Sequence, residues 1–386
     1  MSQQPTFPGL PEPVEPPARP SLPLSAVRVA RAVRSQLEWR VTDLESLLPQ
    51  DHQARAVWHY LERLDLSAFY QDIRASLDGP GRDPTDPQVL LALWLYATVD
   101  GVGSARRLAR LTEEHDAYRW LRGGVSINYH MLSDFRVAHQ AALDDLLTQI
   151  VGTLLAAGAV TLQRVAQDGM RVRASAGAAS FRRRETLEAC LRAAREQVER
   201  LAKDREQPDP GVSWRAQAAR ERAAREREER VQQALDLLPQ AQAAKERQER
   251  TLARPKKAKV MQPRVSTTDP EARVMKMPDG GFRPAYNLEL ATDKDSGVIV
   301  GVGVTTEGTD AGQAVPMVEQ IERRTGQRPQ DYLMDGGFAT REDITALDQQ
   351  RITVYAPVRL PRNKPEEERY QPHYGDSLQV ERWRQR

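Results

Sequence analysis

The sequence predicts an all-α domain followed by a mixed α/β sheet domain that a helical insertion splits. Three observations carry this reading. From about Ala30 to Val160 apolar residues recur at helical spacing. After Thr161 they fall into short runs separated by Asp-Gly breaks, the pattern of strands. Residues 181–260 interrupt those runs with 35 charged residues in 80. The expected organisation is a disordered Pro-rich tail (1–27), a helical domain (28–160) and a sheet domain (161–386) with its insertion at 181–260.

Each element has a local reason. Residues 1–27 hold eight of the 26 prolines and almost no aliphatic pattern. Val57, Leu61 and Leu64 mark a first helical stripe. Asp86 as N-cap and Pro87 in the first turn open an apolar helix through Leu90, Trp94 and Val99, which Gly101 and Gly103 stop. Ser104 starts the next helix, Ser126 is the expected cap of another, and Asp145–Ala157 is amphipathic. Leu162–Asp168 and Met170–Ala174 read as two short strand runs around an Asp-Gly. In the insertion, Leu187, Leu191, Ala194, Val198 and Leu201 step by four and three, as do Val231, Ala234, Leu238 and Ala241. With the breaker Gln207-Pro208-Asp209-Pro210-Gly211 between them, they predict a short antiparallel coiled coil, which exits through the basic strap 254–259. Strands return at Tyr286–Thr292 and Val298–Thr305, followed by a helix (Ala311–Thr325), a strand (Asp331–Met334), a helix (Thr340–Gln349) and a strand (Ile352–Ala356). That order predicts a mixed sheet with helices packed on it.

Composition excludes several classes. The one cysteine, Cys190, excludes a disulfide scaffold, a zinc ribbon and a CxxC redox site. The longest apolar run, Val89–Val99, is too short to span a bilayer, and the proline-rich N-terminus has no signal-peptide pattern, so a cytoplasmic protein is expected. No P-loop occurs. The formal charge of +2 divides into −4 for 1–150, +2 for 151–180, +7 for 181–260 and −3 for 261–386. Arginine supplies 48 of the 56 basic residues, which suits phosphate contact and equally reflects a GC-rich coding bias.

Two aspartates carry the chemistry. Asp168, before Gly169, and Asp335, before Gly336-Gly337, each sit at the expected end of an apolar strand. Two carboxylates from separate strands, with a third acid, hold divalent ions for in-line phosphoryl transfer, and hard oxygen ligands suit Mg²⁺ or Mn²⁺. Turn-forming Asp-Gly pairs are the plainer alternative. Asp310 follows a strand near the site, while Asp293 and Asp295 read as hairpin-turn residues. The six histidines show no HExxH spacing and read as surface or satisfied side chains.

Longer strings resemble a known family. Asp86-Pro-Gln-Val-Leu-Leu-Ala-Leu-Trp-Leu-Tyr, Gly103-Ser-Ala-Arg-Arg-Leu, Tyr118-Arg-Trp-Leu-Arg-Gly-Gly and Tyr129-His-Met-Leu-Ser-Asp-Phe-Arg136 resemble the helical N-terminal domain of bacterial insertion-sequence transposases. Val165-Ala-Gln-Asp-Gly-Met-Arg-Val-Arg-Ala, Tyr286-Asn-Leu-Glu-Leu-Ala-Thr-Asp, Gly308-Thr-Asp-Ala-Gly and Leu333-Met-Asp-Gly-Gly-Phe338 resemble its catalytic strands. The resemblance implies a ribonuclease-H-like DDE domain with Asp168 and Asp335 as the first two acids. It also implies a glutamate on a helix shortly after a Trp-Arg-x-Arg string. Here Trp383-Arg384-Gln385-Arg386 is that string and Glu381 does not match, so the expectation is a C-terminally truncated chain lacking the third acid.

The resemblance further implies double-stranded DNA partners (terminal inverted repeats and target DNA), a homo-oligomer, and a bacterial, nucleoid-associated location. Expected DNA contacts are Arg106, Arg107 and Arg136 in the helical domain, Arg171 and Arg173 beside Asp168, and Lys256, Lys257 and Lys259 in the strap. Ser126–Arg136 is the candidate recognition helix. The alternative function is a catalytically inert fragment that only binds DNA or oligomerises.

Overall fold

The computed structural model describes residues 43–71, 73, 83–206, 213–251, 262–358, 365 and 369–385. The Pro-rich tail, the 207–211 breaker and the 254–259 strap lie outside them. The chain divides into two units, one through His139 and one from Gln140.

The first unit contains α1 (Gln53–Leu61), α2 (Pro87–Val99), α3 (Ala105–Glu114), α4 (Asp116–Arg122) and α5 (Tyr129–Ala138). Asp86 caps α2 as expected, accepting from the Gln88 amide at 2.8 Å, with Pro87 in the first turn. Apolar side chains on every side of α2 make it the unit's buried helix, with Leu93 fully buried. Trp94 Nε1 donates to the Leu132 carbonyl at 3.0 Å and fixes α5 to it. Ser104 caps α3. His52 and His115 cap α1 and α4 through Nδ1. Two expectations are corrected here. Leu64 lies past the end of α1, in a turn. The cap of α5 is Asn128, not Ser126: Asn128 Oδ1 accepts from the Met131 amide at 3.0 Å, and the residues before it are non-helical.

The second unit opens with α6 (Gln140–Ala156), longer at its start than Asp145–Ala157, and continues into β1 (Arg164–Arg173). A short β2 (Phe181–Arg182) leads to the insertion, α7 (Arg184–Glu206), α8 (Trp214–Asp236) and α9 (Leu238–Thr251). Strands β3 (Val265–Ser266), β4 (Arg273–Lys276), β5 (Phe282–Asp293) and β6 (Ile299–Thr305) follow. Then come α10 (Ala314–Thr325), β7 (Asp331–Met334), α11 (Arg341–Gln349), β8 (Thr353–Tyr355) and α12 (Leu378–Gln385).

The main sheet runs β5-β1-β7-β8, with β6 and β4 both on the outer edge of β5. β1, β5 and β6 form an antiparallel meander, and β7 and β8 continue parallel to β1. β1 is one ten-residue strand, not two runs. Nine consecutive pairs with β5, Val165↔Asp293 to Arg173↔Ala285, hold it extended straight through Asp168-Gly169. Asp168 is therefore mid-strand, not at a strand end.

One face of this sheet is covered by helices. Gly301 on β6 has no side chain, and a Cβ there would stand 2.5 Å from Met317 Sδ of α10. Gln320 of α10 also bonds both backbone groups of Val302, at 2.8 and 2.9 Å. Val165, Ala291, Val318, Ile321, Tyr332, Ile344 and Leu347 fill the core on this side. On the other face Met170 is 52% exposed and Val304 67% exposed, with Leu288 and Leu290 half-buried between them.

The insertion leaves after β1 and returns before β5. Its root is clamped by the β2–β3 pair and a small core of Leu187, Ala234, Leu238 and Val265. Arg195 reaches Glu228 and Gln232 while Arg227 reaches Gln197, so α7 and α8 run antiparallel as expected. The second stripe does not stay on one helix. α8 stops at Asp236, and Leu238 and Ala241 belong to α9, where Pro239 takes the first turn. α7 to α9 carry fifteen basic and thirteen acidic residues, so the basic excess sits at the root and in the strap.

Candidate active site

The parallel β1–β7 ladder ends at Gln167↔Met334. Asp168 and Asp335 are the next residue on each chain, so two carboxylates leave neighbouring positions at one level of the sheet. Asp168 is exposed and accepts from the Gly169 amide at 2.8 Å. Asp335 is also exposed and accepts from the Gly337 amide, which folds the 335–340 turn back toward α11, capped by Thr340. Neither is ion-paired with a described residue.

Strand alternation decides where Asp168 points. Gln167 is 3% exposed and bonded to buried Glu289. A Cβ on Gly169 would lie 3.0 Å from Glu289 Oε1 and 3.0 Å from Asp310 Oδ1. Both neighbours thus face the helix-covered side, and Asp168 faces the open side with Met170. Gly169 serves close approach, not the turn of the plainer Asp-Gly reading.

Beneath Asp168 lies a polar cluster that the sequence reading missed, apart from Asp310. Tyr332 Oη donates to Gln167 Oε1 at 2.5 Å, and Gln167 Nε2 donates to Glu289 Oε2 at 3.0 Å. Asn287 Nδ2 donates to Glu289 Oε1 and Asp310 Oδ1, each at 2.7 Å. Burial pushes the Glu289 carboxyl above its ordinary range; the amide of Gln167 opposes this, and the charges of Asp310 and Asp168 add to it. The clue was the phase of β5. Its polar residues Asn287, Glu289 and Asp293 share a parity with Ala285 and Ala291, and that parity is the buried one.

The other expected site residues fall apart. Arg171 lies on the covered side, donating to the Gly308 carbonyl at 2.9 Å and standing 3.8 Å from Asp310. Arg173 is exposed at the end of β1. Arg106, Arg107 and Arg136 are exposed in the first unit, with Arg106 over the Tyr129 ring at 5.1 Å and Arg136 over Trp94 at 3.9 Å. Lys256, Lys257 and Lys259 lie outside the described residues. Asp293 is the last residue of β5 rather than part of the turn, and its buried carboxylate braces the hairpin by accepting from Leu162 N and from both Ser296 donors.

A cavity of about 550 Å³ opens where β7 and β8 end, beside the first half of β1, lined by Ala166, Leu333, Tyr355, Tyr370, Trp383 and Arg384. Asp376, its carboxyl buried, holds α12 at this wall through Arg384 (2.7 Å) and binds Arg341 of α11 (2.9 Å).

No group of three His, Cys, Asp or Glu side chains among the described residues is placed to hold a metal. Glu289, the nearest further acid in register, is on the wrong face. The pair that is present, two exposed and uncompensated carboxylates, fits a hydrated divalent ion, which needs only one or two protein carboxylates.

An antiparallel meander continued by parallel strands, with helices on one face, is the architecture of a ribonuclease-H-like domain. Comparison of families agrees. A transposase domain (DUF772) matches residues 42–138 and a transposase DDE domain matches residues 249–385. The chain belongs to the DDE transposases of insertion sequences. β1, with Asp168, lies between the two matched segments, yet it is the central strand of the sheet that the second one builds. No curated protein and no solved structure matches the chain. No helix of the described residues is long and apolar enough to cross a membrane.

Proposed function

We propose that this chain binds the ends of a mobile element and acts in Mg²⁺- or Mn²⁺-dependent phosphodiester cleavage and strand transfer. The observation that carries the reading is the placement of Asp168 and Asp335 side by side where the β1–β7 ladder ends. These two carboxylates would hold the divalent ion. When bound, it supplies an acidified water or 3′-hydroxyl and stabilises the leaving oxygen. The chain's own residues do the rest. Asp168 is fixed by a strand paired on both sides, Asp335 by its turn onto Gly337, and the open sheet face leaves room for a DNA backbone. Exposed Arg106 and Arg107 and the strap lysines are the proposed phosphate contacts, and two copies handle two DNA ends.

A second reading rests on the lack of a three-acid group among the described residues. In it the chain binds DNA or other subunits without cleaving. Strand transfer with element ends separates the two. Asp168→Ala or Asp335→Ala should abolish transfer and spare DNA binding, and transfer surviving either change overturns the first reading. A chain that binds ends but never cleaves them with Mg²⁺ or Mn²⁺ establishes the second.

A further inference from the structure

The polar cluster under Asp168 is costly for a sheet core. Glu289 is 2% exposed and Asn287 fully buried, and Asp310 brings a second carboxylate to the same amide. The only described cation within 4 Å of either acid is Arg171, and it reaches Asp310, not Glu289. Apolar residues of similar size would satisfy a purely structural sheet at least as well. A buried polar network that breaks the local pattern points to a site.

Its wiring is directional. Tyr332 is three residues before Asp335, and Gln167 immediately precedes Asp168. The Tyr332 hydroxyl occupies Gln167 Oε1, which leaves Gln167 only its Nε2 donor for β5. Asn287 likewise offers only a donor. Residue 289 must therefore accept twice, once through each oxygen. A carboxylate does this and a glutamine does not. The chain of bonds crosses from β7 through β1 to β5 by way of Gln167, a member of the last β1–β7 pair, beyond which no ladder bond holds Asp335 beside Asp168. Gly169 gives the Glu289 carboxyl its space.

We propose that Glu289 is a positioning residue for the candidate metal site, setting the separation of Asp168 and Asp335 through Gln167 and Tyr332. This rests on the reading of those two aspartates given above.

Mn²⁺ titration of the full chain, followed by electron paramagnetic resonance, tests it without any turnover. Wild type should take up Mn²⁺ and Asp168→Asn should lose it. Glu289→Gln should weaken uptake about 10-fold or more while remaining folded by circular dichroism. The exchange Gln167→Glu with Glu289→Gln restores one acceptor facing one donor and should recover most of the affinity. If Glu289→Gln proves unfolded, Tyr332→Phe, which removes one hydroxyl, should show the same weakening. Wild-type affinity in folded Glu289→Gln, or in Tyr332→Phe when that variant stands in, overturns the inference alone, as does an exchange no better than Glu289→Gln. A wild-type chain that takes up no Mn²⁺, or an Asp168→Asn chain that still does, overturns the reading of the aspartates and the inference with it.

Discussion

Asp168 and Asp335 each follow directly on a member of the last β1–β7 pair, Gln167↔Met334. Two exposed carboxylates at neighbouring positions repel each other; the ladder behind them brings them level, and each accepts from one nearby backbone amide, Gly169 or Gly337. Asp168→Asn and Asp335→Asn should each leave stability in chelator within about 1 kcal/mol of wild type, with any change toward greater stability. Urea melts check this. A loss above about 2 kcal/mol in either variant would mark that aspartate as structural.

Gly169→Ala tests the tight packing under the site. Its new methyl would meet two carboxylate oxygens at 3.0 Å, both already held by Asn287. Neither can withdraw without losing that bond. The expected cost is about 1–3 kcal/mol in denaturant melts. An unchanged midpoint would show that Glu289 and Asp310 are free to shift.

Local chemistry made much of this fold legible. Asp86 with Pro87, and Ser104, are caps whose effect needs only neighbouring residues, and both helices start where the sequence placed them. β7 was readable end to end as Asp331–Met334. The misses are long-range. β1 is continuous only because β5, more than a hundred residues on, pairs with it throughout. Glu289 was hidden because β5 inverts the usual rule, burying Asn287 and Glu289 while Leu288 and Leu290 stay half-exposed. Periodicity identifies the strand but assigns its apolar side to the core by default. The register that sets Asp335 level with Asp168 is tertiary information, absent from either motif alone.

The insertion should be separable from the site energetically. Leu187 is fully buried in the core at its root, with Ala234, Leu238 and Val265. Leu187→Ala should cost about 2–4 kcal/mol locally. Hydrogen exchange should then accelerate in α7 and α8 while amides of β1 and β5 keep their protection. Equal loss of protection in β1 would show that insertion and sheet unfold as one unit.

Arg107 and Arg110 are exposed on α3, and no described side chain pairs with either. If they contact phosphates, Arg107→Ala and Arg110→Ala should each lower the slope of log affinity against log salt by about 1, alike for element-end and unrelated DNA. Arg122 is already bonded to Glu113 at 2.6 Å, so Arg122→Ala should change the slope less. Equal slopes in wild type and both α3 variants would remove this face from the DNA interface.

Asp343 ties α11 to the loop beneath the site. Its Oδ2 accepts from the Gly312 amide at 3.0 Å and from Thr340 Oγ1 at 2.9 Å. Burial raises its carboxyl above the ordinary range, more than these bonds lower it. Between the ordinary value of about 4 and the raised one, the folded chain keeps a proton that the unfolded chain has released. This group's contribution to stability is therefore complete below about 4 and is lost as pH rises through the folded value. Asp343→Asn keeps an acceptor for both donors and does not titrate. Its stability relative to wild type should climb with pH across that window and then level off, in urea melts run from acid to neutral pH. Asp343→Ala strands the Gly312 amide and should cost about 1–3 kcal/mol at every pH. A difference between wild type and Asp343→Asn that stays flat, or falls as pH rises, would show that the Asp343 carboxyl is not raised in the folded chain.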